Sequence, residues 1–257
     1  MIAPLLFALA LAGPAHAGSA QEAFDAGVMA ERASDPTAAA THFREALTEG
    51  GRDPAVYHGL GNALYRKGAK GLAIAAWRRG LALDPGNGDL SANIDRVRKE
   101  TADRLDPPEP DLGPFFWQRS LSVTQSAGLA SALATFALAV PALGRLFRKG
   151  RISEMLHRAQ PFAWIAAILA LLLALSTGVA MRAPPTAVVV VPELVARSAL
   201  GPDGVDLFAL HDGAEVRIVE QDGTAALVQL PDERKGWVSL SALASTDPAA
   251  PFPDPVL

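Results

Sequence analysis

From Ala159 to Met181 the chain carries no charged side chain, and this run limits the folds open to it more than any other feature. A helix needs about 20 mostly apolar residues to cross a bilayer core. The segment FAWIAAILALLLALSTGVAM supplies nine Phe, Ile, Leu and Val residues, which favour insertion by roughly 3–5 kcal/mol on a translocon scale. A second uncharged stretch lies between Arg119 and Arg145. Ser, Thr, Gln125 and Gly128 dilute it, yet it is long enough to span. The sequence therefore predicts transmembrane helices over 120–144 and 159–181. With 50% apolar and 19% charged residues, the composition points the same way.

Between the two runs, over 145–158, stand Arg145, Arg148, Lys149, Arg151 and Arg158 against a single Glu154, whereas the outer flanks offer Arg119 and Arg182. Basic residues are retained in the cytoplasm, so this loop is expected inside and both ends of the chain outside. The first seventeen residues agree. Leu5 to Ala12 are apolar, Gly13 and Pro14 break the run, and Ala15-His16-Ala17 offers a small-residue cleavage site, as in a secretory signal. No Lys or Arg precedes the run, so a short uncleaved anchor is the alternative.

Residues 18–105 carry apolar residues at helical spacing, interrupted at Lys67-Gly68. In PAVYHGLGNALYRKGAKGLAIAAWRRGLALDPGN, Tyr57, Leu60-Gly61, Ala73, Trp77 and Pro85 resemble the tetratricopeptide (TPR) pattern of a helical hairpin. Shifting by 34 residues, the TPR period, aligns Gly27 with Gly61, Ala39 with Ala73 and Phe43 with Trp77. A third helix from Leu90 to about Leu105 reads as a terminal cap, with Ile94 and Val97 inward and Arg96, Arg98 and Lys99 outward. Trp77, Phe43 and Tyr57 are expected in the repeat core. The resemblance implies a concave face built from His58, Asn62, Tyr65 and Arg66, with Asn93 from the cap. Asn62 and Asn93 fall where carboxylate-capturing TPR proteins place asparagines, while His58 stands where those proteins use lysine. A proline-rich linker over 106–119 closes the unit.

After Ala183-Pro-Pro, short β-rich runs begin: 188–191, 205–210, 214–219, 225–230 and 236–238, with Asp-Gly turns between several of them. Five strands over 187–245 predict a small barrel. LHDGAEVRIVE followed by KGWVSLSAL resembles a bacterial SH3 domain, whose last strand opens on a Gly-Trp pair, here Gly236 and Trp237. Trp237 is expected to support the barrel. Where such domains usually carry an aromatic after the hairpin glycine, this chain has Thr224-Ala225-Ala226, which favours spacing or docking over peptide capture. Residues 246–257 are expected to form a disordered tail. The predicted fold class is thus multidomain: an all-α TPR repeat, two transmembrane helices and a small all-β SH3-like barrel.

No enzyme motif emerges. There is no cysteine, so thiol catalysis and thiolate metal sites are excluded. His16, His42, His58, His157 and His211 stand on separate segments without metal-ligand spacing. Neither a G-x-S-x-G elbow nor a Walker loop occurs. A net charge of −4 gives no basic footprint for nucleic acid. No cofactor, metal or catalytic residue is expected.

This order of segments, with the repeat at 54–87, the cap bearing Asn93, and the 188–198 and 236–240 stretches, resembles the BatE proteins of the Bat aerotolerance group. The resemblance implies a non-enzymatic scaffold in the bacterial inner membrane, two-pass, with periplasmic terminal domains. Its implied partners are von Willebrand A-domain membrane proteins and a MoxR-type ATPase, besides membrane lipid. A peptidoglycan-binding protein and a regulatory subunit of an envelope enzyme are the alternatives.

Reporter fusions test the orientation. Those after Asp106 and Leu257 are expected to be active only outside the membrane, and one at Gly150 only inside. An inward-facing C-terminus contradicts the topology.

Overall fold

The computed structural model describes residues 14–103, 115–147, 149–182, 184–201 and 203–253. Most of the expected signal (1–13), most of the linker (106–114), Arg148 and residues 254–257 lie outside them. The described residues form seven α-helices and one seven-stranded antiparallel sheet.

Five helices come first: α1 (Pro14–Arg32), α2 (Pro36–Thr48), α3 (Pro54–Arg66), α4 (Lys70–Leu83) and α5 (Gly88–Arg98). Local chemistry sets several of their starts. Asp35 accepts from Thr37 N and Ala38 N, Asp53 from Ala55 N, and Asn87 from Leu90 N, while Pro36 and Pro54 occupy first-turn positions. Between α3 and α4 the chain reverses through Gly68, whose φ of 83° suits glycine. The two hairpins α1–α2 and α3–α4 stack side by side, with α5 against α4. Positions 34 residues apart are buried alike: Ala39 and Ala73, and Phe43 and Trp77, are all sealed from solvent. The large rings reach their seats because a glycine faces each one. A Cβ on Gly27 would enter the Phe43 ring, and one on Gly61 the Trp77 indole.

Helix α4 differs from its neighbours in being buried almost all round, from Gly71 to Trp77 and again at Arg79 and Gly80. One side meets α3 and α5, and the other meets the sheet. Its N-cap, Ala69, has no side chain to offer. Asp212 from the sheet supplies the cap instead, accepting from Gly71 N at 3.0 Å. Gly71 is what permits this approach, since a Cβ there would strike the Val189 carbonyl and the Asp212 carboxylate.

The strands are β1 (Thr186–Val189), β2 (Glu193–Arg197), β3 (Asp206–His211), β4 (Glu215–Asp222), β5 (Ala225–Gln229), β6 (Lys235–Ser239) and β7 (Leu243–Ser245), in the order β3-β2-β6-β5-β4-β1-β7. Two of them, β2 and β7, are absent from the five strands expected. In β2, charged Glu193 and Arg197 alternate with buried Leu194 and Ala196, so it is a half-buried strand. In β1, Val188 joins the helical core while Ala187 and Val189 join the sheet core. Burial on both faces explains its unbroken apolar run.

Over residues 246–253 the chain departs from the expected disordered tail of 246–257, of which 254–257 lie outside the described residues. Residues 246–253 cross the back of the helices. Arg79 is 1% exposed, and among the described residues no carboxylate forms an ion pair with it at contact distance. It donates instead to the carbonyls of Ser245, Ala250 and Pro251 at 2.9, 2.7 and 3.1 Å. The Phe252 ring lies 5.0 Å from the Arg44 guanidinium and 4.8 Å from that of Arg79. A buried cation needs such partners, so the segment is held.

Helices α6 (Val123–Leu146) and α7 (Arg151–Arg182) pack along one another through small residues such as Ala130, Ala163, Ala166 and Ala170. Both are long and apolar enough to cross a membrane. Their outward faces show Leu138, Trp164, Ile168 and Leu171, each more than half exposed. Because α7 begins at Arg151, much of the expected 145–158 loop is helical, and only residues 147–150 separate the two helices. At the other end, Trp117 Nε1 donates to Ser176 Oγ at 3.2 Å and Gln118 Nε2 to Ser176 O at 2.5 Å, tying the entry to α6 onto α7.

Two arginines from the helices converge on one carboxylate of the sheet. Arg78 Nε donates to Glu215 Oε2 at 2.6 Å and Arg98 Nη2 to Glu215 Oε1 at 2.7 Å. Arg98 thus points into the interface, against its expected outward placement, because Glu215 is buried there and requires a counter-charge. Burial alone pushes the Glu215 carboxyl up, but the charges and hydrogen bonds of Arg78 and Arg98 together hold it below its usual 4.5.

A carboxyl held low stabilises the fold above that pH, and its contribution is lost as pH falls through the lowered value. Asp212, whose carboxyl burial pushes up, acts in the opposite sense. In denaturant unfolding of the detergent-solubilised chain, Glu215→Gln is expected to cost roughly 3 kcal/mol near neutrality. It should also flatten the loss of stability on the acid side. An unchanged acid limb would remove Glu215 from this role.

Candidate functional site

Positions 58, 62, 65 and 66 of α3 fall at i, i+4, i+7 and i+8, one face of a helix. In α5, positions 89, 93 and 96 do the same. The structure brings these faces together. His58, Asn62, Tyr65 and Arg66 from α3 share a cavity of about 420 Å³ with Asn93, Arg96 and Asp89 from α5, and Trp77 of α4 lines it too.

A small polar network crosses this groove. The Asn93 amide nitrogen lies 3.2 Å from His58 Nε2 and donates to Asn62 Oδ1 at 3.3 Å. It therefore joins α5 to α3 and fixes the Asn62 side chain with its NH2 group directed elsewhere. Among the described residues, that NH2 group and the Arg96 guanidinium have no partner. These two are the donors the groove can offer.

The other two expected residues are committed. Tyr65 Oη donates to both oxygens of Glu100 at 3.0 and 3.2 Å, and this hydrogen bond, with some burial, pushes the phenol pKa up. The hydroxyl stays a donor fixed on its own chain. Arg66 Nη2 lies 3.7 Å from Glu31 Oε1 of α1, a loose and half-exposed pair. Arg96, expected to point outward, is the cation that lines the groove without such a pair. Its spacing from Asp89 and Asn93 carried that signal in the sequence.

Trp77 is 1% exposed, and its indole tilts against the Tyr65 ring with centroids 6.2 Å apart. Among the described residues its buried Nε1–H has no acceptor, a cost of about 1–3 kcal/mol that close packing against Gly61 imposes.

Trp237 lies outside the buried core of the sheet. Strand β6 buries Gly236 and Val238, so strand alternation turns Trp237 to the opposite face, where it is half-buried and outside the sheet core. Its register neighbours there are Arg197 and Leu227. Support for the core at this point comes from Gly236, where a Cβ would strike Ala196.

Among the described residues, no three His, Asp or Glu side chains are grouped as a metal site requires. Family models, curated proteins and solved structures give no match to the chain.

The placement of Trp237 is testable against a true core residue. Leu210→Ala, at a side chain 1% exposed, should cost about 2–5 kcal/mol in chemical unfolding. Trp237→Ala should cost clearly less. Equal losses would return Trp237 to the core.

Proposed function

We propose that the chain is a non-enzymatic, membrane-anchored scaffold whose helical groove takes a carboxylate of a protein partner. The observation that carries this is the convergence of Asn62, Asn93, His58 and Arg96 on one cavity, with an amide and a guanidinium left unpartnered among the described residues. An anionic oxygen is the ligand such donors hold best, and charge-assisted bonds are the strong ones. In this reading α1–α5 are two TPR-type hairpins with a cap, and the sheet is an SH3-like barrel. Equivalent burial of Phe43 and Trp77, 34 residues apart, supports the first assignment.

The helices α6 and α7 serve as a two-pass anchor in a bacterial inner membrane. Both terminal units meet at the end of the helix pair that holds Val123 and Val179, which supports their lying on one side of the bilayer. The basic residues near the 147–150 connection support the cytoplasm as the opposite side. A Bat-type envelope complex is the proposed setting. Von Willebrand A-domain membrane proteins and a MoxR-type ATPase are the proposed partners.

A second reading assigns peptidoglycan binding to the sheet. It draws on Trp237, whose partly exposed indole beside Leu227 offers a face for stacking on a wall fragment. Co-purification from detergent-solubilised membranes separates the two, since a scaffold retains protein and a wall binder retains muropeptide.

The groove itself is tested with the full chain in detergent. Capture of envelope partners should fall at least tenfold in Asn62→Ala/Arg96→Ala and weaken as salt is raised. Undiminished capture by a folded double variant would make these residues structural.

A further inference from the structure

The α3–α5 groove is charged unevenly along its length. Helix α5 sets Asp89, Asn93 and Arg96 at i, i+4 and i+7 on the face that lines it. At 1.5 Å per residue, Asp89 and Arg96 stand about 10 Å apart along the helix axis. Both are exposed, and among the described residues neither forms an ion pair. The acids nearest Arg96 in the chain are taken up elsewhere, Asp95 by Arg98 and Glu100 by Lys70 and Tyr65.

The two ends are distinct. Asn93 in the middle meets both His58 and Asn62, while Arg96 lies close enough to Tyr65 to oppose the upward push on its phenol. Helices α3 and α5 therefore run the same way, with Asp89 at the His58 end and Arg96 at the Tyr65 end. Between the charges the α5 wall is Ala92 and Asn93, which leaves the path open. A ligand whose carboxylate sits between Asn62 and Arg96 thus extends toward an anion, Asp89, that nothing on this chain neutralises among the described residues.

We infer that the groove takes an extended segment of a protein partner that carries a Lys or Arg three residues from its carboxylate. This rests on the groove holding a carboxylate. The spacing follows from chain geometry. Polyproline II advances about 3.1 Å per residue with three residues per turn, so positions i and i+3 face the same way about 9 Å apart. In a β-strand they face opposite sides. A helix, about 10 Å across with its side chains, is wider than a cavity of about 420 Å³ admits over that length. The cation then meets Asp89 and the anion meets Asn62 and Arg96, so the two charges together set the register of the segment.

The test uses the full chain in detergent and glycine-flanked, amidated peptides bearing a neutral dye, read by fluorescence anisotropy. Their centres are Lys-Pro-Pro-Glu, Ala-Pro-Pro-Glu, Glu-Pro-Pro-Glu and Lys-Pro-Pro-Gln, together with the reversed Glu-Pro-Pro-Lys and Glu-Pro-Pro-Ala. In one chain direction the lysine peptide should bind wild type about fivefold more tightly than its alanine counterpart, a modest gain because Asp89 is exposed. High salt should remove that gain. Asp89→Lys should reverse the order, so that Glu-Pro-Pro-Glu binds better than Lys-Pro-Pro-Glu.

Equal binding of the lysine and alanine peptides in both directions overturns the inference, and the carboxylate groove survives if glutamine in place of the peptide's glutamate still weakens binding. If that exchange to glutamine changes nothing, the groove reading itself fails and the inference falls with it. A lysine preference that persists in Asp89→Lys overturns Asp89 as the seat of the cation.

Discussion

The carboxylate of Glu215 is the point on which the arrangement turns. It is 7% exposed, and an isolated buried charge of this kind is too costly to keep. Arg78 from α4 and Arg98 from α5 neutralise it, so the sheet cannot leave the helices without stranding an anion and releasing two cations. Around this triad the contact is built from backbone. Asp212 caps a helix that has no cap of its own, Gly71 allows the approach, and Asp103 accepts from His211 N at 2.6 Å. The segment 246–253 then crosses the far side and satisfies Arg79.

This docking shapes what the molecule can do. The chain leaves the helical unit, runs out along α6, returns along α7 and enters the sheet, and the two units close on each other at the point of return. A partner held in the α3–α5 groove would bind a body that includes the sheet. The cap helix α5 serves both sites, since Asn93 and Arg96 face the groove while Arg98, on another face, grips Glu215. Motion of α5 is thereby limited from two directions.

Much of this was legible in the sequence because it depends on local period. The 34-residue spacing found the paired hairpins, the uncharged runs found α6 and α7, and the resemblance to a helical repeat named His58, Asn62, Tyr65, Arg66 and Asn93, which line one groove. What stayed hidden depends on contacts between distant segments. The apolar wrap of α4 reads equally well as the core of one hairpin or as a helix buried on two faces, and only the sheet decides. Arg98 looks like a solvated charge until Glu215, 117 positions away, is placed beside it. Trp237 fits the Gly-Trp motif, but the motif does not say which of two alternating faces is the core. The 246–253 segment has no periodicity, so nothing in it foretold that buried Arg79 needed its carbonyls.

The central claim is that the helical unit and the sheet are one cooperative body. Amide hydrogen exchange in α4, with Val228→Ala introduced into the sheet core, tests it most directly. Val228 is fully buried in the sheet and lies in a different core cluster from α4. If the two units unfold together, protection of the α4 amides falls in step with that of β4 and β5. Protection of α4 that stays at its wild-type level while the sheet amides lose theirs would show two independent units and contradict the account.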